Sequence, residues 1–485
     1  MAPYMFFLYS SSYFWVRYKR SLQIAPLARY ISYLRLGKFV VVSSIKMVHS
    51  ITLWSLVLVA VGSLIGAIES KEVVCNYGSW GSLRPGNGKF TVDDIDPFLC
   101  TQLIYDFFDI NPNGTIKITE TNLDLPTKLN TIEKFNNLKQ KNPALKTLAA
   151  IGGWHAGPAN FKTVAASPQL RSSFATDAVS FLKQYRFDGL NIDWEFPALA
   201  DKVNYVLFLK ELANAFAPYN YMLTVSVAAP ELDASNAYDI PAISDIVDNI
   251  NLMAYNMQGS YGVTRYQAPL FQGSASIDDT DYKRQLNLNA IVKYWLSKGA
   301  WANKLTLGVP LYGRTFKLAN PEVAGVGAPI TGLGTAGPYT KTPGFLGYNE
   351  ICEASWSQKQ FDSAQGAAYA SNNGEWVSYD TVQSIKQKCD LISKYGLGGG
   401  MVWSIDTDDF KGIYGRKFNL LRSLKECVNG YKPFVCTSDG FFRDPYDCNK
   451  FYRCYQGTKY FFSCPTELYF DENIPGCDWP YNVKC

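Results

Sequence analysis

Two carboxylates lie two residues apart in the stretch FDGLNIDWEF, residues 187–196, and this spacing suits acid-base chemistry. Alternate residues of an extended strand face the same way, so Asn191, Asp193 and Glu195 line one face. Trp194 points to the other face. Two acids this close at the end of a buried strand repel each other, which raises a pKa and keeps one of them protonated. Glu195, the outermost, is therefore the candidate proton donor of a hydrolase.

These acids fall in the fourth of eight short apolar or β-branched runs, and helical periodicity occupies segments between the runs. Alternating strands and helices predict an α/β fold, a (β/α)8 TIM barrel, in which the carboxyl ends of the strands carry the chemistry. An open doubly wound sheet is the alternative, but no glycine-rich phosphate loop follows the first run. The runs are 71–77, 100–107, 146–153, 187–195, 221–228, 247–255, 304–312 and 399–405, and the helical segments are 127–141, 168–186, 202–217, 282–298 and 378–395.

Two further regions stand apart from the barrel pattern. Residues 317–377 are too many for one helix and contain Gly and Pro clusters followed by short aromatic runs, so we expect a small α+β insertion before the eighth strand. Residues 436–485 contain six cysteines among aromatic residues, in a segment too small to hold a hydrophobic core unaided. They predict a small disulfide-rich β-type C-terminal module, joined by a linker at 428–435.

The N-terminal region is interpreted as a targeting segment. Residues 1–50 form a basic extension, which is untranslated if synthesis starts at Met47, and no acid precedes Glu69. Residues 51–68 are uncharged and apolar but short for a bilayer span, which needs roughly 20 residues. They predict a signal peptide and a secreted, extracellular protein. The alternative is an uncleaved signal anchor of a type II membrane protein, the only case in which a membrane is a partner.

Composition excludes several classes of function. The chain has only two histidines, His49 and His155, so no histidine-rich metal site and no cofactor are expected. Beyond residue 68 acids slightly outnumber bases, so we expect no nucleic-acid partner. An oxidising compartment suits the eleven cysteines, and Asn113 in NGT is a candidate glycosylation site. We expect a monomer.

Five motifs at the strand ends resemble the signatures of family 18 glycoside hydrolases, the chitinases. The resemblance covers residues 71–427, and the final module is similar to a peritrophin-A type chitin-binding domain. Together they imply an arthropod-type chitinase that hydrolyses β-1,4 links between N-acetylglucosamine units. FDGLNIDWEFP is similar to DGxDxDWEYP, AIGGW (150–154) to SxGGW, LMAYNMQG (252–259) to LMTYDFHG, VPLYGRTF (309–316) to MPxYGRxF and GGMVWSI (399–405) to the strand-eight MVW.

The resemblance implies a substrate-assisted, retaining mechanism that needs no protein nucleophile. Glu195 would protonate the glycosidic oxygen, and Asp193 would hold the acetamido N–H and stabilise the oxazolinium ion. Tyr255 would hydrogen-bond the acetamido oxygen, and Trp403 would form the floor of the −1 subsite. The other substrate-binding residues that the resemblance implies are Trp80, Trp154, Met253, Asn256, Tyr312, Arg314 and Met401.

Several positions depart from the family's motifs, and three of them belong to one network. The middle acid is Asn191, the serine of SxGG is Ala150, and the tyrosine that follows the first-strand cysteine is Asn76. In the family, that serine and tyrosine hydrogen-bond the middle acid. Asp106, on the second strand, stands where relatives usually carry a small residue, and Asn256 replaces the aspartate of MxYD.

Loss of two negative neighbours would lower the pKa of Glu195 and weaken the support of a cation, so we expect reduced or acid-shifted turnover. Asn191 is expected to donate a hydrogen bond to Asp193 and fix its orientation. The alternative function is a chitin-binding, lectin-like homologue with little or no turnover.

The resemblance also implies a pairing of the cysteines. Cys352 has a family counterpart whose usual partner is missing, so Cys389 is taken as its partner, with Cys427 as the alternative. The cysteine left over would be a free thiol or an intermolecular link. The remaining implied pairs are Cys75–Cys100, Cys436–Cys454, Cys448–Cys485 and Cys464–Cys477.

Overall fold

The structure is a computed structural model that describes residues 71–259, 261–430, 435–444, 447–465, 468–479 and 482–483. The predicted basic extension, 1–50, and the predicted signal peptide or anchor, 51–68, lie outside the described residues. Within the described ranges, none of the helices combines the length and the apolar character that a bilayer span requires.

The described residues form twenty strands and twelve α-helices. The strands are β1 (Glu72–Gly78), β2 (Gln102–Ile110), β3 (Ile116–Ile118), β4 (Lys146–Gly152), β5 (Gly189–Asp193), β6 (Met222–Ala228), β7 (Asn249–Met253), β8 (Leu305–Pro310), β9 (Tyr312–Leu318), β10 (Ile330–Leu333), β11 (Phe345–Gly347), β12 (Gln358–Asp362), β13 (Ala367–Asn372), β14 (Glu375–Tyr379), β15 (Gly399–Trp403), β16 (Gly440–Asp444), β17 (Asp447–Tyr455), β18 (Thr458–Ser463), β19 (Tyr469–Asp471) and β20 (Gly476–Asp478). The helices are α1 (Thr121–Asp124), α2 (Thr131–Lys141), α3 (Ala159–Ala166), α4 (Pro168–Tyr185), α5 (Lys202–Phe216), α6 (Glu231–Ala237), α7 (Ile240–Ile246), α8 (Asp281–Gln285), α9 (Leu288–Ser297), α10 (Tyr348–Glu353), α11 (Val382–Lys394) and α12 (Asn419–Val428).

Eight parallel strands close into a barrel, which confirms the predicted TIM barrel. Their order is β1-β15-β8-β7-β6-β5-β4-β2, and pairing between β1 and β2 closes the ring. β3 adds an antiparallel strand to the outer part of β2. The carboxyl ends of all eight strands therefore meet at one mouth, where this fold carries its functional side chains.

The helix after the third barrel strand illustrates how local sequence sets the elements. Ser167 caps α4, its side chain accepting a hydrogen bond from the backbone N–H of Leu170, and Pro168 occupies the first helical position. Arg186 ends the helix in the left-handed region. The predicted helix at 282–298 is instead divided into α8 and α9, because Asn287 caps a new helix by accepting from Ala290 N–H.

A six-stranded antiparallel sheet with one short helix interrupts the barrel between β8 and β15. Its order is β10-β9-β14-β13-β12, with β11 paired to β9, and it carries α10. The predicted α+β insertion is thus present, but its first strand begins at Tyr312, directly after β8 ends at Pro310. The start expected at 317 is too late, because the seventh strand is predicted to extend to residue 312 and residues 313–316 are assigned to neither region.

The cysteines require one correction. Cys389 on α11 is bonded to Cys427 on α12, with 5.9 Å between their Cα atoms, so the expected bond Cys352–Cys389 is wrong. Cys352 lies on α10 in the insertion and is a free cysteine. The pair Cys448–Cys485 lies outside the described side chains. The structure also contains the bonds Cys75–Cys100, Cys436–Cys454 and Cys464–Cys477.

The C-terminal module consists of a three-stranded antiparallel sheet, β16-β17-β18, and the hairpin β19-β20. All six residues of β18 are exposed. The exposed aromatic side chains of this sheet and its turn include Phe441, Tyr455, Tyr460, Phe461 and Phe462.

Candidate active site

The two acids of the opening motif lie at the mouth of the barrel, at the end of β5. Asp193 is the last residue of the strand and is 3% exposed, while Glu195 lies two residues farther out and is half-buried. Trp194 points to the opposite side and stacks on Phe161, with 5.4 Å between the ring centroids. The predicted alternation along this strand is therefore confirmed, and Asp193 and Glu195 share the interior face.

Asp188, the first acid of the motif, is remote from this face. It precedes β5 and accepts hydrogen bonds from the backbone N–H of Thr147 at 2.8 Å and from Lys139 Nζ at 2.9 Å. These contacts tie the start of β4 to the helix α2. Asp188 therefore holds the amino-terminal end of the barrel together and does not reach the mouth.

The backbone beside Asp193 leaves no room for side chains. Gly152 has a φ of +115°, and a Cβ added there would lie 2.1 Å from the carbonyl oxygen of Asp193. That carbonyl also accepts a hydrogen bond of 2.9 Å from the backbone N–H of Gly153. The two glycines of AIGGW thus allow the end of β4 to approach β5 closely, and they fix the backbone that carries Asp193.

Burial controls the electrostatics of both acids. It raises the pKa of Glu195 to about 7, while a hydrogen bond from the backbone of Trp154 acts in the opposite direction. Burial, and then the charge of Glu195, raise the pKa of Asp193 well above its usual range. The expectation of a lowered pKa at Glu195 compares this chain with relatives that carry acids at positions 191 and 256, and it stays a prediction. Because burial raises its pKa, Glu195 carries a proton below about pH 7.

Asn191 belongs to a neutral hydrogen-bond network with the next two strands. Its Nδ2 donates to Ser226 Oγ at 3.0 Å, and its Oδ1 accepts from Thr224 Oγ1 at 2.9 Å and from Asn251 Nδ2 at 3.2 Å. Among the described contacts of Asn191 there is no bond to Asp193, so the expected donation to that acid is wrong. The side-chain N–H of Asn191 is instead donated to Ser226 on β6, and its oxygen accepts from Thr224 on β6 and Asn251 on β7.

The other altered positions lie on β1, β2 and β4, and Ala150 on β4 pairs directly with Asn191. Asn76 on β1 donates from Nδ2 to the carbonyl oxygen of Val402 at 3.1 Å. Ala150 on β4 packs in the apolar interior floor with Leu148 and Met401. Asp106 on β2 is fully buried. Neither of its carboxylate oxygens has a hydrogen-bond partner in the part of the chain that the structure describes.

Side chains from β7 and the insertion meet at one edge of the mouth. Tyr312 Oη donates to Asn256 Oδ1 at 2.6 Å, and Arg314 Nε donates to the same oxygen at 2.8 Å. The ring of Tyr255 lies edge-on to that of Tyr312, 6.3 Å away, above Gly308. Four of the residues singled out by the resemblance are thus brought together, two of them by the insertion.

Three aromatic rings, from β2, from the end of β15 and from the segment after β1, pack together as a platform. Trp403 stacks on Phe107 at 5.7 Å, and Trp80 stacks on Phe107 at 6.1 Å and lies 6.4 Å from Trp403. Met253 packs against the same interior cluster, and the buried Met401 is part of it. Trp154 is 73% exposed and stands outside this cluster. Flat, half-buried rings beside buried acids are suited to binding a sugar ring next to a proton donor.

The family model "Glycosyl hydrolases family 18" matches residues 72–408, and a second, "Chitin binding Peritrophin-A domain", matches residues 436–485. The chain belongs to glycosyl hydrolase family 18. The matched region ends at the mouth of the barrel after β15, and the described barrel continues to the end of α12 at Val428.

Known proteins match most of the chain. Mouse chitotriosidase-1 is 34% identical over 455 residues, which is 85% of this chain and 96% of that protein. The crystal structure of Ostrinia furnacalis Group IV chitinase in complex with allosamidin is 41% identical, with a TM-score of 0.71, over 74% of this chain and 98% of that one. Human YKL-39, described as a pseudo-chitinase with retained chitooligosaccharide binding, is 33% identical, with a TM-score of 0.70, over 74% of this chain and 100% of that one.

Sequence reasoning missed Phe107 in this family 18 site. β2 pairs with β4 through Tyr105 and Ala149 and again through Phe108 and Ile151, so Asp106 and Phe107 together oppose the single residue Ala150. This β-bulge turns both side chains inward, where strict alternation would send one of them out. The two consecutive phenylalanines in YDFFD were the only sequence feature that pointed to an aromatic side chain in the site. The sequence did not predict the β-bulge that turns Phe107 inward.

Proposed function

We propose that this family 18 hydrolase is a chitinase, which cleaves β-1,4 links between N-acetylglucosamine units and is held on chitin by its C-terminal module. The observation that carries the proposal is the state of Glu195, a half-buried acid at the mouth of the barrel whose pKa lies at about 7. Such an acid is protonated below neutrality and donates to a leaving oxygen.

In the first step, Glu195 donates its proton to the glycosidic oxygen as the bond from that oxygen to the anomeric carbon breaks. The oxygen of the substrate's own 2-acetamido group attacks the anomeric carbon and forms an oxazolinium ion. Asp193 accepts a hydrogen bond from the acetamido N–H, and its negative charge stabilises the cation. Tyr255 donates to the acetamido oxygen and holds it in line.

In the second step, ionised Glu195 takes a proton from a water molecule that attacks the anomeric carbon. The oxazoline ring opens, the acetamido group is restored, and the product keeps the β configuration of the substrate. Two inversions at the same carbon explain this retention.

The remaining side chains bind the sugars. Trp403 offers a flat apolar face to the pyranose at the −1 subsite, with Phe107 and Trp80 beside it. Asn256, Tyr312 and Arg314 bind polar groups of the sugar from the insertion side. Met253 and Met401 shape the floor. Trp154 extends the cleft over further sugars.

The proposal includes a secreted monomer with a catalytic region at 71–427, a linker at 428–435 and a chitin-binding module at 436–485. Asn113 is exposed in the turn between β2 and β3, where a glycan attached to its amide would project into solvent. The aromatic rings on the sheet β16-β17-β18 would bind chitin by stacking on its sugar rings.

A chitin-binding homologue without turnover is the second candidate, and the neutral amide of Asn191 favours it. Human YKL-39, the pseudo-chitinase, is 33% identical to this chain, about as similar as mouse chitotriosidase-1 at 34%. Glu195 favours the enzyme, because the donor is present and its pKa suits donation near neutrality.

The test is hydrolysis of a chitin hexasaccharide by the full chain and by Glu195→Gln across pH 4–9, with the anomer of the fresh product read by NMR. We expect β product from the parent and a loss of about 10²–10⁴-fold in kcat for the variant. Glu322→Gln is the matched control, because Glu322 is exposed in the insertion. Equal rates in the parent and Glu195→Gln, or α product, would overturn the mechanism.

Binding to insoluble chitin separates the two candidates. A parent that pellets with chitin but releases no product would make the protein a chitin-binding homologue. A hexasaccharide with free amines in place of its acetamido groups tests substrate assistance directly, since it retains the glycosidic bonds but lacks the internal nucleophile.

A further inference from the structure

Asp106 is a buried carboxyl group that the mechanism leaves without a role. It is 0% exposed, and neither carboxylate oxygen has a hydrogen-bond partner among the described residues. Burying a polar group without a partner costs free energy, and burying a charge costs more. A buried carboxyl group without a partner lowers stability, so its presence in the barrel interior needs a functional explanation.

The register places Asp106 in the same row as the position of the missing acid. Asp106 pairs with Gly78 on β1, and across the β-bulge it opposes Ala150 on β4. Ala150 in turn pairs with Asn191 on β5. Asp106, Ala150 and Asn191 thus lie side by side on three adjacent strands, which are about 4.8 Å apart from one to the next.

The neighbours in this row are small. Ala150 has only a methyl group, where the family motif has a serine. Gly78 has no side chain, and a Cβ added there would lie 2.6 Å from the indole of Trp80. At position 191 the amide is engaged by Ser226, Thr224 and Asn251, which together provide a neutral environment. The row therefore carries one acid, as the family's motif does, but on β2 and not on β5.

The charged and titratable groups around Asp106 come from three other elements. Asp193 faces it from β5 and has its own Oδ1 without a partner in the described ranges. Asp406 faces it from the turn after β15, but its charge is balanced by Arg84, with 2.7 Å between Nη2 and Oδ2. Tyr255 faces it from the end of β7. Among these groups, Asp193 therefore has the largest electrostatic effect on the pKa of Asp106.

We propose that Asp106 is a positioning residue for hydrolysis, which acts through Asp193 and supplies from β2 the interior carboxyl that the family motif carries at position 191. This inference rests on the proposed function, because it concerns the ionisation of Asp193 during catalysis.

The physical consequence follows from repulsion inside a dry interior. Two buried carboxyls that repel each other cannot both ionise at little cost, so one of Asp106 and Asp193 stays protonated over a range of pH. Burial first, and then the charge of Asp193, raise the pKa of Asp106 well above its usual range. Removing the acid at 106 allows Asp193 to ionise at lower pH.

The experiment compares the pH profiles of kcat/KM for chitin hexasaccharide between the full chain, Asp106→Asn, Asp106→Ala, Asn191→Asp and Asp106→Asn/Asn191→Asp. The acid limb is the part of the profile at low pH, where kcat/KM rises as Asp193 ionises. We expect both single variants at 106 to move this limb down by about one pH unit, so that kcat/KM rises about tenfold at a fixed pH on the limb. Asn191→Asp should move the limb up, and the double variant should return it to the parent's position.

Asp124→Asn is the matched control. Asp124 is also buried, but its carboxylate accepts a hydrogen bond from Tyr105, whose side chain lies outside the barrel interior. Its substitution should leave the acid limb unchanged. A limb that stays in place in both variants at 106, or a double variant that behaves like Asp106→Asn alone, would overturn the proposal.

A second readout does not depend on turnover. In the Glu195→Gln background, the affinity for chitin hexasaccharide should follow the ionisation of Asp193, which binds the acetamido N–H. Asp106→Asn should then shift the midpoint of affinity against pH down by about one unit. If the parent does not hydrolyse chitin but Asp106→Asn still shifts the affinity midpoint, the proposed chitinase activity is wrong and the proposed role of Asp106 is supported. If the parent hydrolyses chitin and Asp106→Asn shifts nothing, the activity is supported and the role of Asp106 is wrong.

Discussion

In the barrel, the candidate catalytic acids lie in or next to buried parallel strands, among residues that are distant in sequence. The C-terminal module, in contrast, exposes aromatic rings on the edge strand of its sheet. Asp193 lies at the end of a strand paired on both sides, and its pKa is raised by burial. Tyr460 and Phe461 lie on the fully exposed β18, and disulfides staple the surrounding chain. The difference follows from the two tasks, because proton transfer needs a desolvated acid and adhesion to a polymer needs accessible apolar faces.

This contrast implies that either region can be disabled without the other. Catalysis should depend on single buried groups with large effects. Binding to insoluble chitin should depend on the integrity of the module and on several rings with small individual effects.

The largest effect is expected at Asp193. Asp193→Asn removes the charge opposite the oxazolinium ion and should lower kcat by about 10²–10³-fold, the range observed when one group of a preorganised site is lost. Steady-state kinetics with chitin hexasaccharide measure it. Asp188→Asn provides the control, since loss of its contacts at the other end of the barrel should lower Tm and leave kcat within a factor of two or so. Reduced pelleting of Asp193→Asn with chitin would break the comparison.

The next effect belongs to the module. Replacing Cys436 and Cys454 together by serine removes a staple from a segment with little core, a loss worth about 2–4 kcal/mol. Pelleting with insoluble chitin should weaken by at least about tenfold, while hydrolysis of soluble hexasaccharide stays at the parent's rate. The double replacement of Cys389 and Cys427 by serine gives the opposite pattern, a lower Tm of the barrel with pelleting retained. Equal loss of hydrolysis in both double variants would argue against two independent regions.

The pH dependence sharpens the contrast further. Glu195 must be protonated to donate, and its pKa of about 7 means that the donor form is present below that pH and is lost above it. Above about pH 7, kcat/KM should therefore fall tenfold per pH unit. Pelleting by the module should change little between pH 6 and 9, because its exposed phenylalanines do not titrate. An alkaline limb that begins near pH 5 would mean that burial does not control Glu195.

The smallest effects are expected at exposed rings. Trp154→Ala should raise KM for chitin hexasaccharide by about fivefold, the equivalent of about 1 kcal/mol of stacking, and leave KM for shorter substrates unchanged. Tyr460→Ala should weaken pelleting to a similar degree without affecting hydrolysis. An exchange of these phenotypes, with Tyr460→Ala raising KM for soluble substrate, would place the module's rings in the catalytic cleft.

The parts of the structure that the sequence predicted are those governed by local rules. The alternation of Asn191, Trp194 and Glu195 follows from strand geometry alone, and the start of α4 follows from Ser167 and Pro168. Eight predicted strands with five helical segments between them were sufficient to predict a barrel, because this pattern is typical of the (β/α)8 fold.

The parts that the sequence did not predict depend on contacts between distant strands. The amide of Asn191 donates to Ser226 and not to its near neighbour Asp193, because the adjacent strand β6 places the Ser226 hydroxyl beside it. The inward turn of Phe107 depends on how β2 is registered against β4. The partner of Cys389 depends on the packing of α11 against α12.

The seam of the barrel has a consequence for the protein's biosynthesis. β1 receives its second neighbour only when Glu72 pairs with Gly399, about 330 residues later in the chain. At about 5–20 residues per second, a ribosome takes roughly 15–65 s to make that stretch. Until then β15 is not available to pair with β1, whereas Cys75 and Cys100, which join β1 to β2 in the folded protein, are separated by only 25 residues. The speed of translation therefore sets the shortest time in which a newly made chain completes its barrel.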